Sequence, residues 1–70
     1  MTVFEIEILS LCTDYKIELK LVELYGALIQ NRETYTYYVF ETFEDHEEVY
    51  KDLLRLFNQS YQKPYIKIIH

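Results

Sequence analysis

The chain has 70 residues, twelve Asp and Glu against seven Lys and Arg, and a net charge of −5, a balance opposite to the basic footprint that binding phosphate backbones needs. One cysteine, Cys12, excludes an internal disulfide, and two histidines far apart give no metal-ligand spacing. So short a chain buries only about 60% of the surface its unfolded form exposes, which predicts one compact domain over 1–70 of marginal stability.

Residues Met1 to Glu5 have neither the basic region nor the long apolar core of a signal peptide or membrane anchor, so a cytoplasmic location is expected. From Phe4 the residues alternate. Phe4, Ile6 and Ile8 lie to one side and Glu5 and Glu7 to the other, the period of a strand with one wet face, predicted over 3–11. Cys12, Thr13 and Asp14 read as a tight connection, because Thr and Asp hydrogen-bond locally to backbone.

Alternation resumes with Tyr15, Ile17, Leu19 and Leu21 against Lys16, Glu18 and Lys20, then slips by one residue at Leu21 and Val22. A second strand over 15–29 with a bulge near Leu21 to Glu23 accounts for the slip. The competing reading is a helix from Tyr15 to Ile29: Leu, Glu, Lys and Ala favour it and Asp14 can cap it, but Glu18 is then stranded among apolar neighbours. The strand reading is preferred.

Gln30 to Glu33 read as a turn, and TYTYYVFETF over 34–43 has the strongest strand composition in the chain. A hairpin turning at Asn31 and Arg32 sets Leu28 opposite Tyr35, Gly26 opposite Tyr37 and Leu24 opposite Val39. Gly26 then lies under an aromatic ring. In that register Tyr35, Tyr37, Val39 and Phe43 share a face with Val22, Leu24 and Leu28, and Tyr25, Ile29, Tyr38 and Phe40 share the other. One helix covers one face, so Tyr25, Tyr38 and Phe40 are expected to form a partly exposed aromatic interface.

Val49, Tyr50, Leu53, Leu54, Phe57 and Tyr61 recur at steps of three and four, predicting an amphipathic helix that starts near Glu44 and ends between Asn58 and Tyr61. Thr42 with Asp45, and Asp45 with Glu48, compete as its start signal. Pro64 ends the helical run, and Tyr65 to Ile69 read as a short last strand parallel to the third and first, its neighbour undecided. The expected architecture is α+β: a βββαβ domain, an antiparallel meander with one helix on one face and a C-terminal edge strand.

Nothing in the chain forms a catalytic motif. Around Cys12, His46 and His70 no Ser/His/Asp or Cys/His grouping has motif context, and a single glycine leaves no phosphate-cradling loop, so no enzyme, cofactor or metal is expected. The basic-aromatic signatures of direct nucleic-acid binding and the Lys/Arg-rich polar face of a membrane-surface helix are also missing. Charge, however, is concentrated: residues 41–52 carry six acids, Glu41, Glu44, Asp45, Glu47, Glu48 and Asp52, against one base. At helical spacing such carboxylates stand about 5 to 6 Å apart, comparable to successive phosphates, so a basic groove on another protein could take them in place of nucleic acid.

The sequence therefore favours a small acidic inhibitor or decoy that occupies a basic, nucleic-acid-binding surface of a larger protein. The alternative is a structural or regulatory homodimer associating through the aromatic sheet face. In type, though through no shared motif, the chain resembles virus or mobile-element proteins that block host defence, such as anti-CRISPR inhibitors and uracil-DNA glycosylase inhibitors. That resemblance assigns a role to no residue.

Overall fold

The computed structural model describes residues 1–58 and 64–69. Strand β1 (Thr2–Leu9) runs into a single 3₁₀ turn (Ser10–Cys12). Helix α1 (Tyr15–Tyr25), strands β2 (Leu28–Asn31) and β3 (Tyr35–Thr42), helix α2 (His46–Phe57) and strand β4 (Tyr65–Ile69) follow. The four strands form one open antiparallel sheet in the order β2-β3-β1-β4. The α+β class and the C-terminal edge strand are those the sequence predicts. The element order βαββαβ is that of the split-βαβ, or ferredoxin-like, arrangement.

The main correction lies between residues 15 and 31. Tyr15 to Tyr25 are a helix and not a bulged strand, and the physical reason is local. The Asp14 carboxylate accepts from the Lys16 N–H at 2.8 Å, which caps the first turn. At the other end Gly26 adopts a left-handed φ of 65°, with its N–H donating to the Val22 carbonyl at 2.9 Å. A residue without Cβ takes that conformation at no steric cost, so Gly26 stops the helix and does not lie under a ring. The alternation of Tyr15, Ile17, Leu19 and Leu21 was coincidental, since only Ile17 and Leu21 are buried.

With α1 in place β2 shrinks to four residues and pairs in a different register, Leu28 opposite Val39 and Asn31 opposite Thr36. Leu24, expected opposite Val39, is an exposed helical residue. The hairpin closes through the Arg32 N–H donating to the Tyr35 carbonyl at 2.9 Å. Strand β4 lies beside β1 and antiparallel to it. It therefore runs parallel to β3, as expected, but not to β1.

Both helices cover the same side of the sheet. Ile17 and Leu21 of α1 and Val49, Leu53 and Phe57 of α2 pack with Phe4, Ile6, Ile8, Tyr38, Phe40 and Ala27 in one core. This choice of side reverses the expected exposure of β3: Tyr38 and Phe40 are 2% and 3% exposed and belong to the core. Phe40 stacks on Phe4 with ring centroids 5.2 Å apart and on Tyr25 at 4.6 Å. Tyr25, expected exposed, is half-buried.

The carboxylate that looked stranded in a helical reading finds its partner here, because Tyr38 donates its hydroxyl to Glu18 at 2.7 Å. Buried Thr36 is satisfied similarly, donating to Asn31 Oδ1 at 3.1 Å with the Ser10 hydroxyl 2.9 Å away. No buried side-chain polar atom lacks a partner among the described residues. Tyr61, expected on the apolar stripe of α2, and His70 lie outside those residues.

Candidate functional site

Two surfaces carry the residues that composition and pattern single out. The first is the start of α2. Strand β3 ends at Thr42, whose hydroxyl accepts from the Glu44 N–H at 3.0 Å and turns the chain. Asp45 then caps the helix, its Oδ1 accepting from the Glu47 N–H at 2.9 Å. Of the two competing start signals the second prevails, and the helix begins at His46 and not at Glu44. Glu47 and Glu48 fall in the first turn, where the helix dipole favours negative charge.

All six acids of this region, Glu41, Glu44, Asp45, Glu47, Glu48 and Asp52, are exposed. Three have structural duties. Asp45 is the cap, Glu48 lies 3.8 Å from Lys51 Nζ, and Asp52 accepts from Arg55 at 2.8 Å. Both ion pairs are open to solvent, and such pairs contribute about 0 to 1 kcal/mol, so neither holds its carboxylate against a stronger partner.

A groove between α1 and α2, lined by Lys20, Leu24, Tyr25, Glu44, Asp52 and Arg55 among others, brings Tyr25 together with two of these acids. Burial raises the Tyr25 phenol above its ordinary pKa, and the charges of Asp52 and Glu44 add to the effect. The structure thus joins one of the three aromatic candidates to the acidic cluster and takes the other two, Tyr38 and Phe40, out of reach of a partner.

The second surface is the side of the sheet that neither helix covers. In register across it run Leu28, Val39, Glu5 and Lys67, and in the next row Gln30, Tyr37, Glu7 and Tyr65. Val3, Glu41 and Ile69 make a third row, and Leu9 and Tyr35 close the far end. Leu28 and Tyr65 are 69% and 65% exposed, so large apolar groups stand open here. The Glu7 carboxylate beside Tyr37 raises that phenol's pKa, through hydrogen bonding first and burial second.

The sequence predicts an uncovered face bearing aromatic residues, and one exists, but it carries Tyr35, Tyr37 and Tyr65 in place of Tyr38 and Phe40. The signal that finds it is the placement of Glu5 and Glu7. Alternating with buried Phe4, Ile6 and Ile8, they mark the odd-numbered side of β1 as the wet one, and register carries that marking to the odd-numbered residues of β3.

Cys12 is half-buried against the core, and His46 is the half-buried first residue of α2. No group of three or more His, Cys, Asp and Glu side chains able to hold a metal occurs among the described residues. Among them, too, no helix is long and apolar enough to cross a membrane. Neither a family model, nor a curated protein, nor a solved structure matches the chain. The split-βαβ arrangement supports many unrelated activities, so function has to be argued from the surfaces alone.

Proposed function

We propose that this protein is a non-enzymatic acidic binding domain that docks on a basic surface of a larger protein, presenting the carboxylates at the start of α2. One observation carries the reading: all six acids of residues 41–52 are exposed, on a chain whose net charge is −5. Folding draws none of them into the core. Carboxylates one helical turn apart match arginine and lysine side chains that ordinarily hold phosphates, so the partner surface is of the kind that receives nucleic acid, and occupying it would inhibit.

The test is affinity capture with wild-type protein against Glu44→Lys/Glu47→Lys/Glu48→Lys. Asp45 is left in place because it caps α2. A basic partner retained by the wild type and lost by the reversed protein supports the reading, and equal retention by both sinks it.

The second reading, self-association through the sheet, is favoured by the uncovered face on which Leu28 and Tyr65 stand open. Sedimentation at high micromolar concentration decides it. A dimer dispersed by Leu28→Ser/Tyr65→Ser supports that reading, and a monomer rejects it.

A further inference from the structure

The open sheet face has a composition that fits one kind of occupant. On the inner strand β1, Glu5 and Glu7 stand half-buried. Glu5 sits between Val39 and Lys67, and Glu7 between Tyr37 and Tyr65. With Glu41 at the end of β3, and with Arg32 and Glu33 lining the same surface beside Glu5 and Glu7, the face carries four carboxylates against the two cations of Lys67 and Arg32. Glu41 also lies diagonally from Glu5 and directly precedes the turn into α2, so the face runs on into the acidic helix start.

A second copy is a poor occupant on this arithmetic of charge. Face-to-face pairing about a two-fold axis would bring eight carboxylates together with only four cations, two Lys67 and two Arg32, to meet them. Carboxylates removed from water without enough cations to meet them are costly. A partner presenting arginine or lysine within an apolar patch meets the same face without that penalty. Its cations reach Glu5 and Glu7, its aliphatic groups cover Leu28 and Val39, and a guanidinium can stack on Tyr37 or Tyr65.

We propose that the uncovered face of the sheet, centred on Glu5 and Glu7 and flanked by Leu28, Tyr37, Val39 and Tyr65, is a second docking surface, beside the start of α2, for a protein segment that combines arginine or lysine with apolar side chains. The proposal rests on the reading above of a basic partner and adds a second contact to the one at the start of α2.

The probe is a synthetic peptide of alternating arginine and leucine, with its glutamate/leucine counterpart as control, titrated into isotope-labelled protein and followed by amide chemical shifts. Shifts concentrated at Glu5, Glu7, Leu28, Tyr37 and Val39 support the proposal. So does an affinity loss of about tenfold in Glu5→Gln/Glu7→Gln, against less than about threefold in Glu44→Gln/Glu47→Gln. Tyr65→Ser, at an exposed edge position, is the second arm and should weaken binding by about threefold or more without altering the fold.

Shifts confined to the start of α2 overturn the sheet site and leave the acidic reading standing. No binding, or equal binding of the glutamate peptide, overturns both. A dimer in sedimentation that protects this face from the peptide overturns the proposal in favour of self-association.

Discussion

Removing the Tyr38 hydroxyl tests the placement of α1 more sharply than any truncation in the core. Tyr38 is 2% exposed and donates to the Glu18 carboxylate at 2.7 Å, a bond linking the middle of β3 to the first turn of α1. A hydrogen bond to a charged acceptor is worth about 1.5 to 3 kcal/mol, but half-buried Glu18 can recover water when its donor is lost. Tyr38→Phe is therefore expected to cost about 1 to 2 kcal/mol. Glu18→Ala should cost a similar amount, because it leaves a buried phenol without an acceptor, and the double variant should lose much less than the sum of the two. Urea unfolding of the four proteins gives the coupling, expected at about 1 kcal/mol or more.

The same bond makes a pH prediction. Burial first, and the Glu18 hydrogen bond second, hold the Tyr38 phenol above its ordinary pKa, so the folded state binds that proton more tightly than the unfolded chain does. Stability from this group is complete below the unfolded value of about 10 and is lost as pH rises above it. Tyr38→Phe should flatten the alkaline loss. Additive single variants, with an unchanged alkaline limb, would refute the placement of α1 over β3.

Leu53, with no exposed surface, anchors α2, and Leu53→Ala should lower unfolding free energy by about 2 to 5 kcal/mol in chemical denaturation, with Leu53→Pro abolishing the fold. Asp45→Ala removes the cap of α2 and should cost about 0.5 to 2 kcal/mol by the same measurement, whereas exposed Glu47→Ala should stay within about 0.5 kcal/mol. At Gly26 a Cβ meets no atom within 4 Å, so Gly26→Ala should be destabilised by only about 1 kcal/mol, the strain of the left-handed backbone at φ 65°. Tyr38→Ser/Phe40→Ser, at 2% and 3% exposure, should unfold the protein, seen as loss of the cooperative thermal transition.

Elements whose pattern has a single period were legible in the sequence. Strand β1 alternates cleanly because one face is wet, β4 is isolated by Pro64, and α2 shows its apolar stripe at three- and four-residue steps. Helix α1 was not, because Tyr15, Ile17, Leu19 and Leu21 alternate like a strand while the helical face needs only Ile17, Leu21 and half-buried Tyr25. Its caps were visible in Asp14 and Gly26, but Gly26 fits a sheet as readily as a helix end.

That one element decided the rest. A second helix makes the even-numbered face of β3 the core, and composition alone could not choose between Thr36, Tyr38, Phe40 and Tyr35, Tyr37, Val39, which are about equally apolar. Register could have chosen, since Glu5 and Glu7 mark the wet side of β1 and pairing passes that marking to β3. The exposure of the acids in 41–52 was legible because charged side chains are almost never fully buried unless paired. Which of them have structural duties was not, because capping by Asp45 and pairing of Asp52 with Arg55 depend on where the helix begins.

The central claim, that binding is carried by acidic surface meeting a basic partner, is tested most directly by the affinity of the captured partner over a salt series from low to high ionic strength. The account predicts a steep, continuous loss of affinity as salt rises, because the contacts lie at a solvent-exposed surface where charges are screened. It also predicts a shallower slope for the protein with Glu5, Glu7, Glu44 and Glu47 changed to glutamine. An affinity unchanged across the series, with wild type and variant superimposed, would contradict it.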